Sequence, residues 1–261
     1  MRSLAFDVRN VSKSFVLPHQ RTTTFKEVFL HPWQRTTYER QQALVDVSFE
    51  VAHGEFFGII GPNGSGKSTM LKILAGIYRQ DEGEVEVNGL VSPFIELGVG
   101  FNPELNARDN IRINGTLLGL GKQELERKFD EIIDFAELER FVDQKLKNYS
   151  SGMLLRLAYS IAIQVPFDIL LLDEVLAVGD DSFQEKCFET FRRFRADGKT
   201  MIFVSHDLGS VSIYCDRALL LEGGLPRKIG PTDEVIKTYE ERSGPHPLLA
   251  RVEEPLSAGE R

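Results

Sequence analysis

Cysteine is scarce in this sequence of 261 residues. Only two cysteines occur, Cys187 and Cys215, and they belong to no CxxC pair and no Cys/His cluster. Their scarcity excludes a disulfide framework and a cysteine-rich zinc site. Both lie among apolar residues, so we expect two buried thiols in a protein of a reducing compartment.

Long hydrophobic runs are also missing. The most apolar runs, at residues 56–60 and 169–172, are far shorter than the roughly 20 residues that span a bilayer. Residues 1–10 are interrupted by charges and contain no apolar stretch typical of a signal sequence. We therefore expect a cytoplasmic protein, and if it works at a membrane, another subunit supplies the spanning helices.

Positive charge is in deficit. Lys and Arg number 31 against 39 Asp and Glu, which gives a net charge of -8. Such a surface repels nucleic-acid phosphates, so no nucleic-acid partner is expected. The content of 42% hydrophobic and 27% charged residues is close to that of average globular proteins, and the length suits one catalytic unit.

The N-terminal part alternates apolar and polar residues in two segments, 4–11 and 43–51, which predicts two antiparallel strands. Between them, residues 17–42 contain prolines, threonines and aromatics and predict a long insertion with one short helix. Its apolar side chains could dock on a partner or pack back on the domain. The sequence leaves both alternatives open.

Apolar strands alternate with helices in the rest of the chain, which predicts an α/β fold with a mainly parallel core sheet. Strands are expected at 55–60, 169–173 and 200–205, and the Asn88-Gly89 dipeptide predicts a hairpin turn. Residues 104–165 read as a helical insertion. Residues 241–261 are rich in proline and glycine, so a flexible tail without room for another domain is expected to follow a single domain of residues 1–240.

One segment carries the full Walker A pattern between a predicted strand and a predicted helix. Its glycines let the backbone N-H groups surround a phosphate, and Lys67 adds a positive charge. Ser68 can offer its hydroxyl to Mg²⁺. The predicted ATP-binding residues are Gly61, Pro62, Asn63, Gly64, Ser65, Gly66, Lys67, Ser68 and Thr69.

Two carboxylates end the strand at 169–173 and begin the segment after it. Asp173 is expected at the carboxyl edge of the sheet, where it can hold the hydration shell of Mg²⁺. Glu174 is placed to polarise an attacking water as general base. Without the Walker A pattern, the alternative would be a solvent-exposed acidic strand end. With it, the pair predicts ATP hydrolysis.

Together these motifs resemble the ATP-binding cassette (ABC) family over about residues 4–240. Residues 149–153, Tyr-Ser-Ser-Gly-Met, lie where that family has its signature motif, usually Leu-Ser-Gly-Gly-Gln. The resemblance implies a P-loop ABC nucleotide-binding domain with an antiparallel β subdomain and a helical subdomain. It also implies a homodimer, in which Ser150, Ser151 and Gly152 face the γ-phosphate of the ATP held by the other subunit. The same residues could simply cap a helix.

The resemblance assigns further residues. Asp180 matches the D-loop between subunits, His206 matches the switch histidine at the γ-phosphate, and Phe15 matches the aromatic that stacks on adenine. Phe15 could instead be a core residue. The glutamine usual in the Q-loop is missing, because Leu97 stands in its place; either Glu96 substitutes as a ligand of Mg²⁺, or the ion keeps an extra water.

Three segments resemble one subfamily, the ATPases of bacterial polysaccharide exporters. These segments are residues 96–105, 149–153 and 173–180. The resemblance implies a peripheral protein at the cytoplasmic face of the inner membrane, bound to two copies of a permease that docks near residues 94–115 and handles the lipid-linked polysaccharide. The alternatives are another transporter class and a soluble ABC ATPase of DNA repair or translation.

Overall fold

The computed structural model describes residues 3–18, 38–94, 100–173 and 181–243. These residues form two sheets and a set of helices. The strands are β1 Leu4–Pro18, β2 Tyr38–Ala52, β3 Phe56–Ile60, β4 Glu82–Val87, β5 Val91–Phe94, β6 Ile169–Asp173, β7 Thr200–Val204, β8 Arg217–Glu222 and β9 Leu225–Pro231. The α-helices are α1 Lys67–Leu74, α2 Ala107–Leu117, α3 Lys122–Ala136, α4 Ser151–Ala162, α5 Asp181–Ala196, α6 Leu208–Tyr214 and α7 Thr232–Ser243.

The smaller sheet is antiparallel, with the order β2-β1-β4. The predicted antiparallel pair of strands is therefore confirmed. Both strands are longer than the sequence predicted: β1 continues to Pro18 and β2 begins at Tyr38, so they extend into both ends of the expected insertion. Residues 19–37, with the predicted short helix, lie outside the described residues.

The larger sheet has six strands in the order β5-β6-β7-β3-β8-β9. All neighbouring pairs are parallel except β8 and β9, which confirms the predicted mainly parallel sheet. Strands β3 and β7 are buried along their whole length, as their continuous apolar sequences require. Because β6, β7 and β3 are adjacent and parallel, their carboxyl ends meet at one edge.

The hairpin predicted at Asn88-Gly89 is wrong. Strands β4 and β5 belong to different sheets, so the dipeptide carries the chain from one sheet to the other. The Asn88 N-H donates to the carbonyl of Ala5 at 2.9 Å, and Gly89 has a φ of 138°. The chain bends at Gly89, and β5 then pairs in parallel with β6 instead of forming a hairpin with β4.

Helices α2, α3 and one face of α4 enclose a separate hydrophobic cluster that includes Ile111, Ile132 and Leu157. Aromatic contacts connect this helical part to the core of the larger sheet. The rings of Phe135 and Phe183 lie 5.8 Å apart, which joins α3 to α5. This part therefore has its own core but packs firmly on the rest.

Both cysteines are buried and free, as the sequence predicted. Burial raises the pKa of the Cys187 thiol to about 12 and raises that of Cys215 as well, so both are unreactive. Among the described helices, none combines the length and the apolar character needed to cross a membrane.

Candidate functional site

The predicted phosphate-binding segment, residues 61–69, begins directly after β3 and runs into the first turn of α1. Its backbone depends on glycine at two positions. Gly66 has a φ of 104°, and a Cβ there would lie 2.4 Å from the carbonyl oxygen of Ala43. Gly61 has a φ of 145°, and a Cβ there would lie 2.0 Å from the carbonyl oxygen of Leu221. The loop therefore packs against two strands with no space for side chains.

The start of α1 is suited to an anion. Gly66 precedes the helix without a side-chain capping bond, and the first turn contains no acidic residue. The first N-H groups of a helix have no intrahelical partner, and the helix dipole is positive at this end. Lys67 is buried, and its Nζ donates to the carbonyls of Gly61 at 2.9 Å and Pro62 at 3.1 Å. The lysine charge is thus held against the concave side of the loop.

A cleft of about 390 Å³ lies beside this loop. One wall comes from the loop and the first residues of α1, and the other comes from β1 and β2. Its lining residues are Phe15, Gln41, Ala43, Asn63, Gly64, Ser65, Gly66, Lys67, Ser68 and Thr69. Phosphate-binding groups and an aromatic ring therefore face the same space.

Phe15 is half-buried, and its ring packs against that of Tyr78 in a T-shaped arrangement with 5.6 Å between centroids. The ring also lines the cleft. Phe15 is thus only partly buried, and its stacking on adenine stays a prediction.

Asp173 and His206 lie at neighbouring strand ends. Asp173 pairs with Val204 across β6 and β7, and Val204 pairs with Ile59 of β3. The adjacent turn is fixed because the Asp207 N-H donates to Oγ of Ser205 at 3.0 Å. This register brings the half-buried Asp173 and the exposed His206 to the sheet edge from which the phosphate-binding loop leaves.

The segment that resembles the ABC signature begins α4. Ser150 is the N-cap, and its Oγ accepts a hydrogen bond from the Met153 N-H at 3.2 Å. Tyr149 is buried and donates its hydroxyl to the carbonyl of Phe141 at 2.8 Å, and burial raises its pKa to about 12. A Cβ on Gly152 would meet no atom closer than 3.9 Å, so the start of the helix is open. None of these residues lines the cleft of this chain.

Three of the predicted site residues lie outside the described residues. They are Glu174, Asp180 and Glu96. Leu97, which stands in the place of the Q-loop glutamine, also lies outside the described residues. Conversely, the structure adds residues that the sequence analysis missed. Gln41 and Ala43 line the cleft, and Tyr78 supports Phe15. A polar residue in an alternating strand gives no sequence signal for nucleotide binding. Only the pairing of β1 with β2 shows that Gln41 lies beside Phe15 in the cleft.

The site fits a nucleotide with a magnesium ion. Ser65 Oγ is buried in the loop and has no hydrogen-bond partner among the described residues, as expected of a polar atom that needs a ligand or water. Ser68 is exposed at the start of α1, and Asp173 lies at the same sheet edge. A hydroxyl, a carboxylate and phosphate oxygens are the hard oxygen ligands that Mg²⁺ prefers.

The steric contacts at Gly66 give a first prediction. Gly66→Ala should lower ATP affinity by roughly tenfold or more, because the residue must adopt a positive φ and its Cβ would clash with β2. Titration of the purified protein with ATP measures this. Gly198→Ala is the matched control, because Gly198 also has a positive φ but its Cβ would meet no neighbouring atom. Equal ATP affinities of the two variants would contradict the steric explanation.

These features together define a P-loop ATPase cassette. A buried strand leads through a glycine-rich loop into a helix without a side-chain cap, and the neighbouring strand ends carry an aspartate and a histidine. The family model of the ABC transporter matches residues 44–177, and the chain belongs to this family.

Similar proteins come from several bacteria. The O-antigen export system ATP-binding protein RfbB of Klebsiella pneumoniae is 43% identical over 235 residues, which cover 89% of this chain and 96% of that protein. The teichoic acids export ATP-binding protein TagH of Listeria monocytogenes is 38% identical over 240 residues, or 92% of this chain and 71% of that protein. Among solved structures, a similar one is the dimeric post-hydrolysis state of the ATP-binding cassette MJ0796 bound to ADP and Pi. It superposes with a TM-score of 0.70 at 24% sequence identity, and the match covers 87% of this chain and 98% of that one.

Proposed function

We propose that this protein is the ATP-hydrolysing subunit of an exporter that moves a lipid-linked polysaccharide across the cytoplasmic membrane through a separate permease. The observation that carries the proposal is the intact phosphate-binding loop in a chain that resembles an O-antigen export ATPase over nearly its whole length. The similarity to a teichoic acid export ATPase supports the same class of cargo.

In this proposal the cleft holds ATP along its length. The N-H groups of residues 64–69 and the Nζ of Lys67 surround the β- and γ-phosphates, and Phe15 stacks on adenine. Ser68 and Asp173 hold Mg²⁺ and its water shell. When bound, Mg²⁺ neutralises charge that develops on the transferred phosphoryl group.

Hydrolysis requires a water positioned in line with the bond between the β- and γ-phosphates. Glu174 directly follows Asp173 at the end of β6, so we assign it the role of general base that takes a proton from this water. His206, on the next strand end, contacts the γ-phosphate and orients the water. We assign Asp180 to the contact between the two subunits, by its match to the D-loop of the family.

A second copy of the chain completes each site. The first turn of α4 is open, and Ser150, Ser151 and Gly152 do not line the cleft of their own chain. A helix N-terminus attracts anions, so it is available for the γ-phosphate held by a partner. The active unit is therefore a homodimer that encloses two ATP molecules. The similar cassette MJ0796 is dimeric in its post-hydrolysis state.

The permease docks near residues 94–115 at the cytoplasmic face of the membrane. Helix α2 begins within this segment and ends two residues after it. It exposes two large apolar side chains, Ile113 at 40% and Leu117 at 73%. Apolar side chains on an exposed helix face suit the burial that a protein interface provides. Two permease copies then contact the two ATPase subunits.

Purification of the tagged protein from membranes of its native host tests the proposal. We expect a stoichiometric membrane-spanning protein and a lipid-linked glycan to co-purify in mild detergent. Leu117→Asp should reduce co-purification of the permease severalfold, because it places a charge in the apolar contact. Ile213→Asp is the matched control, since Ile213 is 72% exposed on α6. Recovery only from the soluble fraction, with nucleic acid or ribosomes, would move the protein to the class of soluble ABC ATPases.

A further inference from the structure

The strand that carries Phe15 loses a neighbour just before it reaches the cleft. Strand β1 pairs with β4 only as far as Ser12, which lies opposite Glu82. Beyond Ser12, among the described strands, β1 pairs only with β2. Residues 13–18 and 38–44 therefore form a two-stranded extension, which we call the ribbon. An isolated two-stranded ribbon is at best marginally stable, so the position of Phe15 depends on what attaches the ribbon to the domain.

The ladder between the two ribbon strands is also irregular at this point. The register shifts between Val11 and Lys13 and again between Lys13 and Ser14. Such irregularities disrupt the local hydrogen bonds of the ladder and bend the strand. Ser14 lies at the second shift, directly before Phe15, so its backbone needs a hydrogen-bond partner from elsewhere.

Asp81 supplies that partner. Its Oδ2 accepts hydrogen bonds from the Ser14 N-H and from Oγ of Ser14, each at 2.8 Å. Its Oδ1 accepts a hydrogen bond from Nζ of Lys13 at 2.8 Å, and its own N-H donates to the carbonyl of Ser12 at 2.9 Å. One residue therefore bonds to three consecutive residues of β1.

The charge of Asp81 is well stabilised. The hydrogen bond from Lys13, with those from the N-H and hydroxyl of Ser14, lowers the pKa of the Asp81 carboxyl to about 2. The carboxylate is thus ionised at neutral pH. The Ser14 hydroxyl in turn accepts a hydrogen bond from Nε of Arg40 at 2.8 Å, which extends the network across the ribbon to β2.

The position of Asp81 in the chain connects the two halves of the nucleotide cleft. It follows α1 by a short turn that contains Tyr78, the residue whose ring packs against Phe15. Helix α1 begins at the phosphate-binding loop. The carboxylate therefore joins the segment that holds the phosphates to the strand that holds the aromatic ring.

We infer that Asp81 is a positioning residue for the nucleotide. It holds the ribbon at a distance from the phosphate-binding loop that lets Phe15 contact the base. Asp81 does not line the cleft and acts only through β1. The inference rests on the proposed stacking of Phe15 on adenine. It predicts an effect on the binding of the base and none on the binding of the phosphates.

Titration of the full chain with ATP and, separately, with inorganic tripolyphosphate tests this. Asp81→Ala should weaken ATP binding about five- to tenfold, because the ribbon no longer holds the ring in place, and leave tripolyphosphate affinity within about twofold. The KM for ATP should rise with little change in kcat. Asp81→Asn, which keeps an acceptor for the Ser14 N-H but loses the charge, should give a smaller loss.

A double-mutant cycle separates the inference from the proposed stacking. Phe15→Ala alone should weaken ATP binding by about fivefold to 150-fold, as removal of one base-aromatic stack does. If Asp81 acts through Phe15, the double variant binds ATP no more weakly than Phe15→Ala alone. Glu84→Ala is the matched control, because Glu84 is an exposed acid of the neighbouring strand β4 whose ion pair is with Arg9.

The outcomes that overturn the inference are distinct. Normal ATP affinity of Asp81→Ala beside a weakened Phe15→Ala would refute the role of Asp81 and leave the stacking intact. Normal affinity of Phe15→Ala would refute the stacking and the inference together. An equal loss of ATP and tripolyphosphate affinity in Asp81→Ala would show that Asp81 supports the fold in general.

Discussion

Lys67→Met is expected to lower ATP turnover by roughly 100- to 1,000-fold, the usual loss when one preorganised donor to a developing oxyanion is removed. The lysine is buried in the phosphate-binding loop, and its Nζ is held by the carbonyls of Gly61 and Pro62. Such a charge cannot be replaced by water without loss, because it is preorganised towards the cleft. Methionine keeps an unbranched side chain that is one atom shorter, and it removes both the charge and the N-H donors of Nζ.

Turnover is measured as phosphate release at saturating ATP, and ATP affinity by titration. Lys122→Met is the matched control, because Lys122 is exposed at the start of α3 and does not line the cleft. Lys67→Arg should also be impaired, since a planar guanidinium does not reproduce a compact ammonium. Turnover of Lys67→Met within threefold of the unchanged protein would show that hydrolysis does not take place at this loop.

Glu174→Gln is expected to lower turnover by about 10²- to 10⁴-fold, the range that general-base catalysis contributes. The amide is nearly isosteric but cannot accept the proton of the attacking water. ATP binding should be retained, because the phosphate-binding loop and Asp173 are unchanged. With hydrolysis blocked, the ATP-bound dimer should accumulate.

Size-exclusion chromatography in the presence of ATP detects this trapped dimer, and phosphate release measures the loss of turnover. Glu185→Gln is the matched control, because Glu185 is an exposed acid on α5, the next described helix. A Glu174→Gln protein that hydrolyses ATP at an unchanged rate would show that another group is the base. A trapped dimer that forms without ATP would contradict the proposed enclosure of nucleotide between subunits.

Local sequence patterns predicted most of the fold. The buried strands β3, β6 and β7 are continuous apolar runs, and the phosphate-binding loop is a contiguous motif between a strand and a helix. Signals of this kind lie within a few neighbouring residues, so they survive in a single sequence. The same holds for the two buried thiols, which lie in apolar surroundings in the sequence.

Errors and omissions arose where a residue depends on a distant partner. Asn88-Gly89 has the composition of a hairpin turn, yet the strands on either side of it pair in different sheets. Which strand pairs with which is decided by the burial of whole faces, and a dipeptide carries no information about it.

The amino-acid sequence was sufficient to predict a P-loop ATPase, because the groups that hold phosphate are contiguous and backbone N-H groups do most of the binding. The base side of the cleft depended on tertiary structure. Phe15 faces Gln41 across an irregular pair of strands, and Asp81, 66 positions beyond Phe15 in the chain, bonds to the residues that precede the ring. Register shifts and long-range hydrogen bonds leave no periodic trace in the sequence, so these contacts appear only once the strands have packed together.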